Sequence, residues 1–383
     1  MNIVHVAPNA PYEEGWSYQE NLLPKYQAKL GHHVTLLVSE IRHRNQESAP
    51  CGDYMSSDGF RVIRTKSVQY PVPMLRYALS YLNIYDLLVE LKPDLIFHHG
   101  MVSTTIRQAV RYKKKVNPSC VIVQDNHMDY NIGFDPKTCR GKVLRLLYRH
   151  LYRSTAPHIR KVYGVTPWRE EYAREVFGVE PEKTGVLIMG ADDERLDLEN
   201  RSSIRQRIRQ QYHIADDEFL VVTGGKIDEK KKIHLLMDAV KELEGVKLLI
   251  CGETTPEFTE TFRGHQNANV VDAGWVTSDR FYDYFFAADL VCFPGQHSVL
   301  WEQACASKVP CVFGKWHGMD HVNNGGNACF VEPVTVEELR NTLCRLQFTE
   351  EYRRMLAVAN SANTDIYLYS RIARKSLECM AEQ

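Results

Sequence analysis

The feature that most constrains this chain is an alternation of short apolar runs with longer amphipathic ones, which restarts once. Apolar runs of roughly four to eight residues bounded by Gly, Pro, Asn or Asp read as buried strands, and the segments between them carry the three- and four-residue spacing of helices. Strand–helix–strand order of this kind builds parallel sheets with helices on both faces. In the first half, strands are expected at residues 3–7, 33–38, 95–98, 121–124, 162–165 and 184–188, with a helix over 18–29 that stops at Gly31. After the polar, acidic stretch 190–200 the pattern begins again. Strands are expected at 219–224, 246–251, 270–273, 290–293, 309–313 and 328–331, with helices over 234–244 and 336–347. The fold class is therefore α/β, with two Rossmann-like domains joined near residues 190 to 200.

Size agrees, since 383 residues exceed one ordinary hydrophobic core. A net charge of −1 gives no general attraction for nucleic acid, so none is expected as a partner. The ten cysteines are scattered, several singly in apolar strands (Cys251, Cys292, Cys311, Cys329), with no C-x-x-C pair and no close Cys/His cluster. They read as free thiols of a reducing compartment, with neither disulfides nor a zinc site. The start, MNIVHVAPNAP, lacks the basic beginning and long apolar centre of a signal peptide. No apolar run reaches the roughly 18 residues of a membrane span, so a cytoplasmic location is expected.

Charge is uneven locally. Lys137, Arg140, Lys142, Arg145, Arg149, Arg153, Arg160 and Lys161 follow one another with no acid between them. Within VLRLLYRHLYR their spacing is helical, with Leu144, Leu147, Tyr148 and Leu151 between the cations. A basic amphipathic helix can lie on an anionic membrane surface. An ordinary solvated face over a core stripe has the same pattern, and both readings stay open.

Three segments carry chemistry. The strand at 219–224 runs into Gly224-Gly225-Lys226-Ile227-Asp228-Glu229-Lys230-Lys231-Lys232, where glycine lets backbone approach a ligand and Lys226 with Lys231 can grip a diphosphate. The spacing is not that of a Walker A loop. The stretch FPGQHSVLWEQACASKVP, residues 293–310, places Glu302 early in a helix that follows a buried strand, where a carboxylate can accept both protons of a ribose diol. In the first half, Gly15 lies in the loop after the first strand, and His127 follows the strand at 121–124 within Asp125-Asn126-His127-Met128-Asp129. A histidine at a strand's carboxyl end can hydrogen-bond a substrate or shuttle a proton, and Asp125 or Asp129 can orient it. His98 and His99 end another strand the same way. There is no G-x-G-x-x-G and no Gly-x-Ser-x-Gly elbow, which argues against a dinucleotide dehydrogenase and a serine hydrolase.

Together these residues resemble the retaining glycosyltransferases of family 4. Gly31-His32-His33-Val34 looks like the family's GHxV strand entry, and Met189-Gly190-Ala191-Asp192 like its interdomain signature. Gly225-Lys226-Ile227 with Lys231 resembles GRL…K, with lysine in place of arginine. Gly274-Trp275-Val276, Ala287-Ala288-Asp289 and Phe293-Pro294 follow the family order, as do Asn324–Ala328 and the terminal Tyr369-Ser370-Arg371-Ile372-Ala373. Family members carry two glutamates eight positions apart. Here the first is absent from Gly295-Gln296-His297-Ser298, and counting back seven from Pro310 reaches Gln303 rather than Glu302.

The resemblance implies a glycosyltransferase-B architecture of two Rossmann-like domains facing across a cleft, with a C-terminal helix crossing back to the first. The implied divisions are 1–193 on the acceptor side, 194–360 for the nucleotide-sugar and 361–383 for the returning helix. It implies catalytic roles for Lys226 and Lys231 on the leaving diphosphate and for His127 near the reacting carbon. Donor contacts would come from Gly15, Gly225, His297, Ser298, Val299 and Glu302. No metal or other cofactor is implied. The partners would be a nucleotide-diphospho-sugar and a glycan or lipid-linked acceptor, with the cationic segment at the inner face of a membrane. The expected task is surface polysaccharide synthesis. A nucleotide-sugar epimerase of the same fold and a non-catalytic membrane-associated binding protein are the alternatives.

Overall fold

The computed structural model describes residues 1–10, 12–40, 49–68, 70, 80–135 and 137–381; Pro11 and Pro136, which border segments discussed above, lie outside these. The chain divides into two compact units. Unit 1 is Met1–Met189 together with Ile372–Gln383, and unit 2 is Gly190–Arg371.

Unit 1 is built on strands β1 (Asn2–Ala7), β2 (His33–Ser39), β3 (Gly52–Met55) and β4 (Arg61–Thr65). After a short pair, β5 (Ser67–Val68) and β6 (Tyr81–Leu82), come β7 (Leu95–His98), β8 (Val121–Asn126), β9 (Lys161–Gly164) and β10 (Thr184–Val186). The main sheet has the order β10-β9-β8-β7-β1-β2-β4-β3 and is parallel except where β3 runs against β4. Strands covered on both faces need no polar alternation, and β1, β7 and β8 are accordingly buried almost throughout. The helix Gln19–Lys29 ends as expected, with Gly31 at φ +86° and its N–H returned to the carbonyl of Ala28.

Unit 2 continues with β11 (Phe219–Ile227), β12 (Val246–Thr254), β13 (Val270–Gly274), β14 (Leu290–Phe293), β15 (Cys311–Gly314) and β16 (Ala328–Val331). All pairings are parallel, in the order β13-β12-β11-β14-β15-β16. Numbered within the unit this is 3-2-1-4-5-6, the doubly wound arrangement whose connections diverge between its first and fourth strands. Asp289, of the Ala-Ala-Asp motif, supports the sheet from its amino end. Its carboxylate meets Arg205 at 2.7 Å and Arg209 at 3.3 Å and accepts the Leu220 N–H at 2.8 Å.

Two expectations are corrected in the strands. β3 and β4 were not anticipated, because β3 is exposed along its length and β4 carries arginines at both 61 and 64. Strands β11 and β12 also run beyond Gly224 and Cys251, where they were expected to end, β11 through Gly225 and β12 through Gly252. Those glycines serve close approach instead: a Cβ on Gly224 would stand 1.9 Å from the Cys251 carbonyl oxygen, and one on Gly252 1.9 Å from that of Gly225. The ladder therefore continues through Gly225–Gly252, Lys226–Glu253 and Ile227–Thr254.

Candidate active site

In unit 2 the segments that follow β11 and β14 emerge on either side of the point where the strand order reverses, the usual ligand position of such sheets. Gly225 has φ +94°, and a Cβ there would touch Leu300 at 3.0 Å, so both conformation and space favour glycine. Lys226 is exposed at the end of β11. Asp228 then caps a short turn, Glu229–Lys231, by accepting the Lys231 N–H at 3.2 Å. The Lys231 ammonium donates to the Gln296 carbonyl at 2.7 Å, with the His297 carbonyl at 3.5 Å. Gly295 lies against the same turn so tightly that a Cβ would stand 2.3 Å from the Lys231 carbonyl, and the Gln296 N–H bonds to Lys230 O at 3.0 Å. Sequence reading named these two loops separately; the structure packs one on the other.

His297, Ser298 and Val299 lead into the helix Leu300–Ala306, with Ser298 and Val299 half-buried and His297 buried. The Glu302 side chain is 0% exposed. Its Oε1 lies 2.8 Å from Nε2 of His297 and 2.8 Å from Nε2 of His321, while Oε2 is buried with no hydrogen-bond partner among the described residues. Burial alone would raise this carboxyl, but the imidazoles of His297 and His321 outweigh it and hold the group down to about 2. The expected carboxylate facing a sugar diol thus meets a different geometry, in which Glu302 is turned inward onto two imidazoles. Gln303 is also buried. His321 was missed in the sequence because it comes from a separate turn, Asp320–Val322, with no local signal.

These three side chains lie close enough to enclose a cation. A ligating imidazole, however, usually donates its other N–H to an acceptor. Nδ1 of His321 has no partner among the described residues. The 2.8 Å contacts are those of hydrogen bonds to a carboxylate.

In unit 1, β1 lies between β2 and β7, so the corresponding switch point falls between β1 and β7. Gly15, in the loop after β1, has φ +81° and open space around its α-carbon. His127 follows β8. Its side chain is 33% exposed, and its Nε2 is buried 3.4 Å from Asp125 Oδ2, a charge contact rather than a hydrogen bond, so the exposed edge of the ring is the side on which Nδ1 can meet a ligand. Burial would lower this histidine, but the Asp125 carboxylate, helped by Glu20, raises it overall. Asp129, the other candidate orienting group, is occupied elsewhere, accepting the Asn131 N–H at 2.9 Å and facing Arg169 at 3.3 Å.

Comparison with known proteins gives the family. Residues 17–190 match the family model described as Glycosyl transferase 4-like domain, and residues 218–347 match Glycosyl transferases group 1. The chain belongs to this glycosyltransferase family. A curated relative, lipopolysaccharide 1,2-N-acetylglucosaminetransferase of Salmonella typhimurium, is 24% identical over 196 residues, 46% of this chain. The chain spans about half, 51%, of that relative's length. A glycosyltransferase of Rickettsia africae ESF-5 has a similar structure, with a TM-score of 0.73, 14% identity, and coverage of 100% of this chain and 99% of that one. Anabaena Alr3699/HepE, solved in complex with UDP, aligns with a TM-score of 0.70 at 15% identity over 100% of both chains. At such identities the solved structures speak for the shared fold, that of glycosyltransferase-B enzymes. The family is one of glycosyltransferases.

Proposed function

We propose that this glycosyltransferase moves a sugar, with retention, from a nucleotide-diphospho-sugar to a glycan or lipid-linked acceptor in surface polysaccharide synthesis. The observation that carries this reading is the packing of the Lys226–Lys231 turn against the loop of His297 and Ser298 at the switch point of unit 2. Lys226 and Lys231 stabilise the charge that builds on the leaving diphosphate, the kind of electrostatic effect that usually dominates such catalysis. No metal is then needed for that task. Gly225 and the backbone of His297, Ser298 and Val299 approach the donor. Glu302 acts from behind, holding His297 in place. Unit 1 contributes Gly15 and, through Nδ1, His127 to the transferred sugar.

The Anabaena complex makes UDP the first nucleotide to test, and the Salmonella relative's name makes N-acetylglucosamine the first sugar and a lipopolysaccharide-type glycan the first acceptor. A donor that binds only the folded protein at 100 times its Kd stabilises it by about 2.7 kcal/mol, a readily measured rise in melting temperature. Lys231→Ala is expected to lose about 10²–10³ in kcat, the scale of removing one oxyanion donor, while keeping its circular dichroism spectrum. No shift with UDP, GDP, ADP or their sugars, or full turnover in Lys231→Ala, would overturn the reading.

The helix Cys139–Thr155 supports a membrane role. Its outward face carries Val143 and the strongly exposed Leu146 beside Lys142 and Arg153, while Leu144, Tyr148, Leu151 and Tyr152 pack into unit 1. Among the described residues no helix is long and apolar enough to cross a membrane. We infer that this face rests on an anionic bilayer.

A further inference from the structure

A buried chain of polar side chains crosses the sheet of unit 1 behind His127. From Asp125 Oδ2 it runs to His99 Nδ1 at 2.7 Å, then from His99 Nε2 to His5 Nδ1 at 2.9 Å. It continues from His5 Nε2 to Gln27 Oε1 at 2.7 Å and from Gln27 Nε2 to Ser376 Oγ at 2.9 Å. His5, His99 and Asp125 come from three adjacent strands, β1, β7 and β8, or their ends, and all are almost wholly buried. We propose that Asp125 is a positioning residue for His127, and that the polarity of this chain, set at Ser376, leaves one extra proton on His99 between Asp125 and His5. The first half of this proposal rests on the assignment of His127 to the transferred sugar.

The proton count follows link by link. Ser376 spends its hydroxyl proton on the Ala373 carbonyl at 2.6 Å, so its oxygen must accept from the Gln27 amide. Gln27 then presents its carbonyl oxygen to His5, whose Nε2 must carry a proton. Burial, reinforced by the neighbouring His99, holds His5 down to about 3, so it is neutral and its Nδ1 is a bare acceptor. His99 therefore donates from Nε2. Its Nδ1 faces a carboxylate, which only accepts, so that nitrogen donates as well. A histidine donating from both nitrogens is an imidazolium, and it lies against an Asp125 whose carboxyl is held well below the usual range by His127 and His99 despite burial. Asp125 is fixed further by the Gly100 N–H at 2.6 Å.

Held this way, Asp125 keeps the proton of His127 on Nε2 and turns Nδ1 outward, the orienting task a buried carboxylate performs for a catalytic imidazole. The charged and titratable groups around His127 are Asp125 from β8, Glu20 from the helix Gln19–Lys29, His99 after β7, and Arg169, itself paired with Asp129. Both nitrogens of His99 are already engaged, so Glu20, His99 and His127 do not form a cation site.

Nitrogen-15 NMR of the histidine rings in the full-length protein tests the proton count. His99 should show two protonated ring nitrogens at pH 7; one bare nitrogen would overturn it. Ser376→Ala frees the Gln27 amide to reverse, and His99 should then lose one of those protons at pH 7, whereas an unchanged ring would overturn the role of Ser376. For Asp125→Asn, loss of the carboxylate lowers His127, so the limb on which kcat rises with pH as His127 loses its charge should move to lower pH, with KM little changed. A fall equal at every pH would mean that Asp125 is only structural. Full turnover in His127→Ala would sink the sugar-contact assignment while leaving the ring-nitrogen result standing.

Discussion

At the scale of single residues, Glu302 makes a prediction that its sequence position did not. Its carboxyl is depressed in the folded protein from 4.5 to about 2, so its contribution to stability is complete above 4.5 and is lost as pH falls toward about 2. A difference of that size is worth on the order of 3 kcal/mol. Glu302→Gln keeps an acceptor for His297 and His321 but no charge. Denaturant unfolding at pH 7, 4 and 3 should therefore show a shallower acid loss in the variant than in the parent, and equal slopes would count against the two-imidazole arrangement. Lys226, Lys231, His297 and Glu302 of unit 2 stood out in the sequence beside strand ends, as did His127 in unit 1. What was not legible was who faces whom. One position along a helix turns a side chain by about 100°, and the partner that decides the matter, His321, lies 19 residues away in the chain. His5 was visible only as a histidine inside an apolar run. Its partner His99 is 94 positions distant, and only strand pairing brings them together.

At the scale of elements, apolar periodicity located nearly every strand of both sheets, because strands buried on two faces leave a continuous signature. It failed at β3, whose Gly-Asp-Tyr-Met sequence is exposed at the sheet edge and buries nothing, and at β4, where arginines at 61 and 64 interrupt the apolar run. It also ended β11 and β12 too early, because a glycine that admits a neighbouring backbone looks the same in sequence as one that makes a turn. The helix Cys139–Thr155 carries a prediction at this scale. Replacing Lys142 and Arg153 with glutamate should abolish co-sedimentation with phosphatidylserine vesicles, since each cation near an anionic surface is worth about 1 kcal/mol. Leu146→Glu should also weaken binding, yet change folding stability by no more than about 0.5 kcal/mol because that side chain is 69% exposed. Vesicle binding that survives these changes would send the membrane role elsewhere.

At the scale of the whole molecule, the last residues belong with the first unit. Ile372, Ala373, Ser376 and Cys379 are buried, and Ser376 bonds to Gln27 of the helix after β1. Deleting 372–383 should lower the melting transition of unit 1, with burial of Ile372 alone worth about 1.5–3 kcal/mol. Limited proteolysis should then cut within 1–189 before it cuts within 190–371, and the reverse order would be inconsistent with the division described here.

That division has a consequence for how the protein is made. Unit 2 is a guest inserted near the end of its host, because the backbone leaves unit 1 after Met189 and re-enters it at Ile372. Domains emerging from a ribosome generally fold as units in order of appearance. Here the host must wait, its sheet in place but Gln27 still lacking Ser376, while 182 residues of guest are synthesised, Gly190 to Arg371 inclusive. The host is completed only after its guest has been made, and the proton chain behind His127 closes only once Ser376 has followed it.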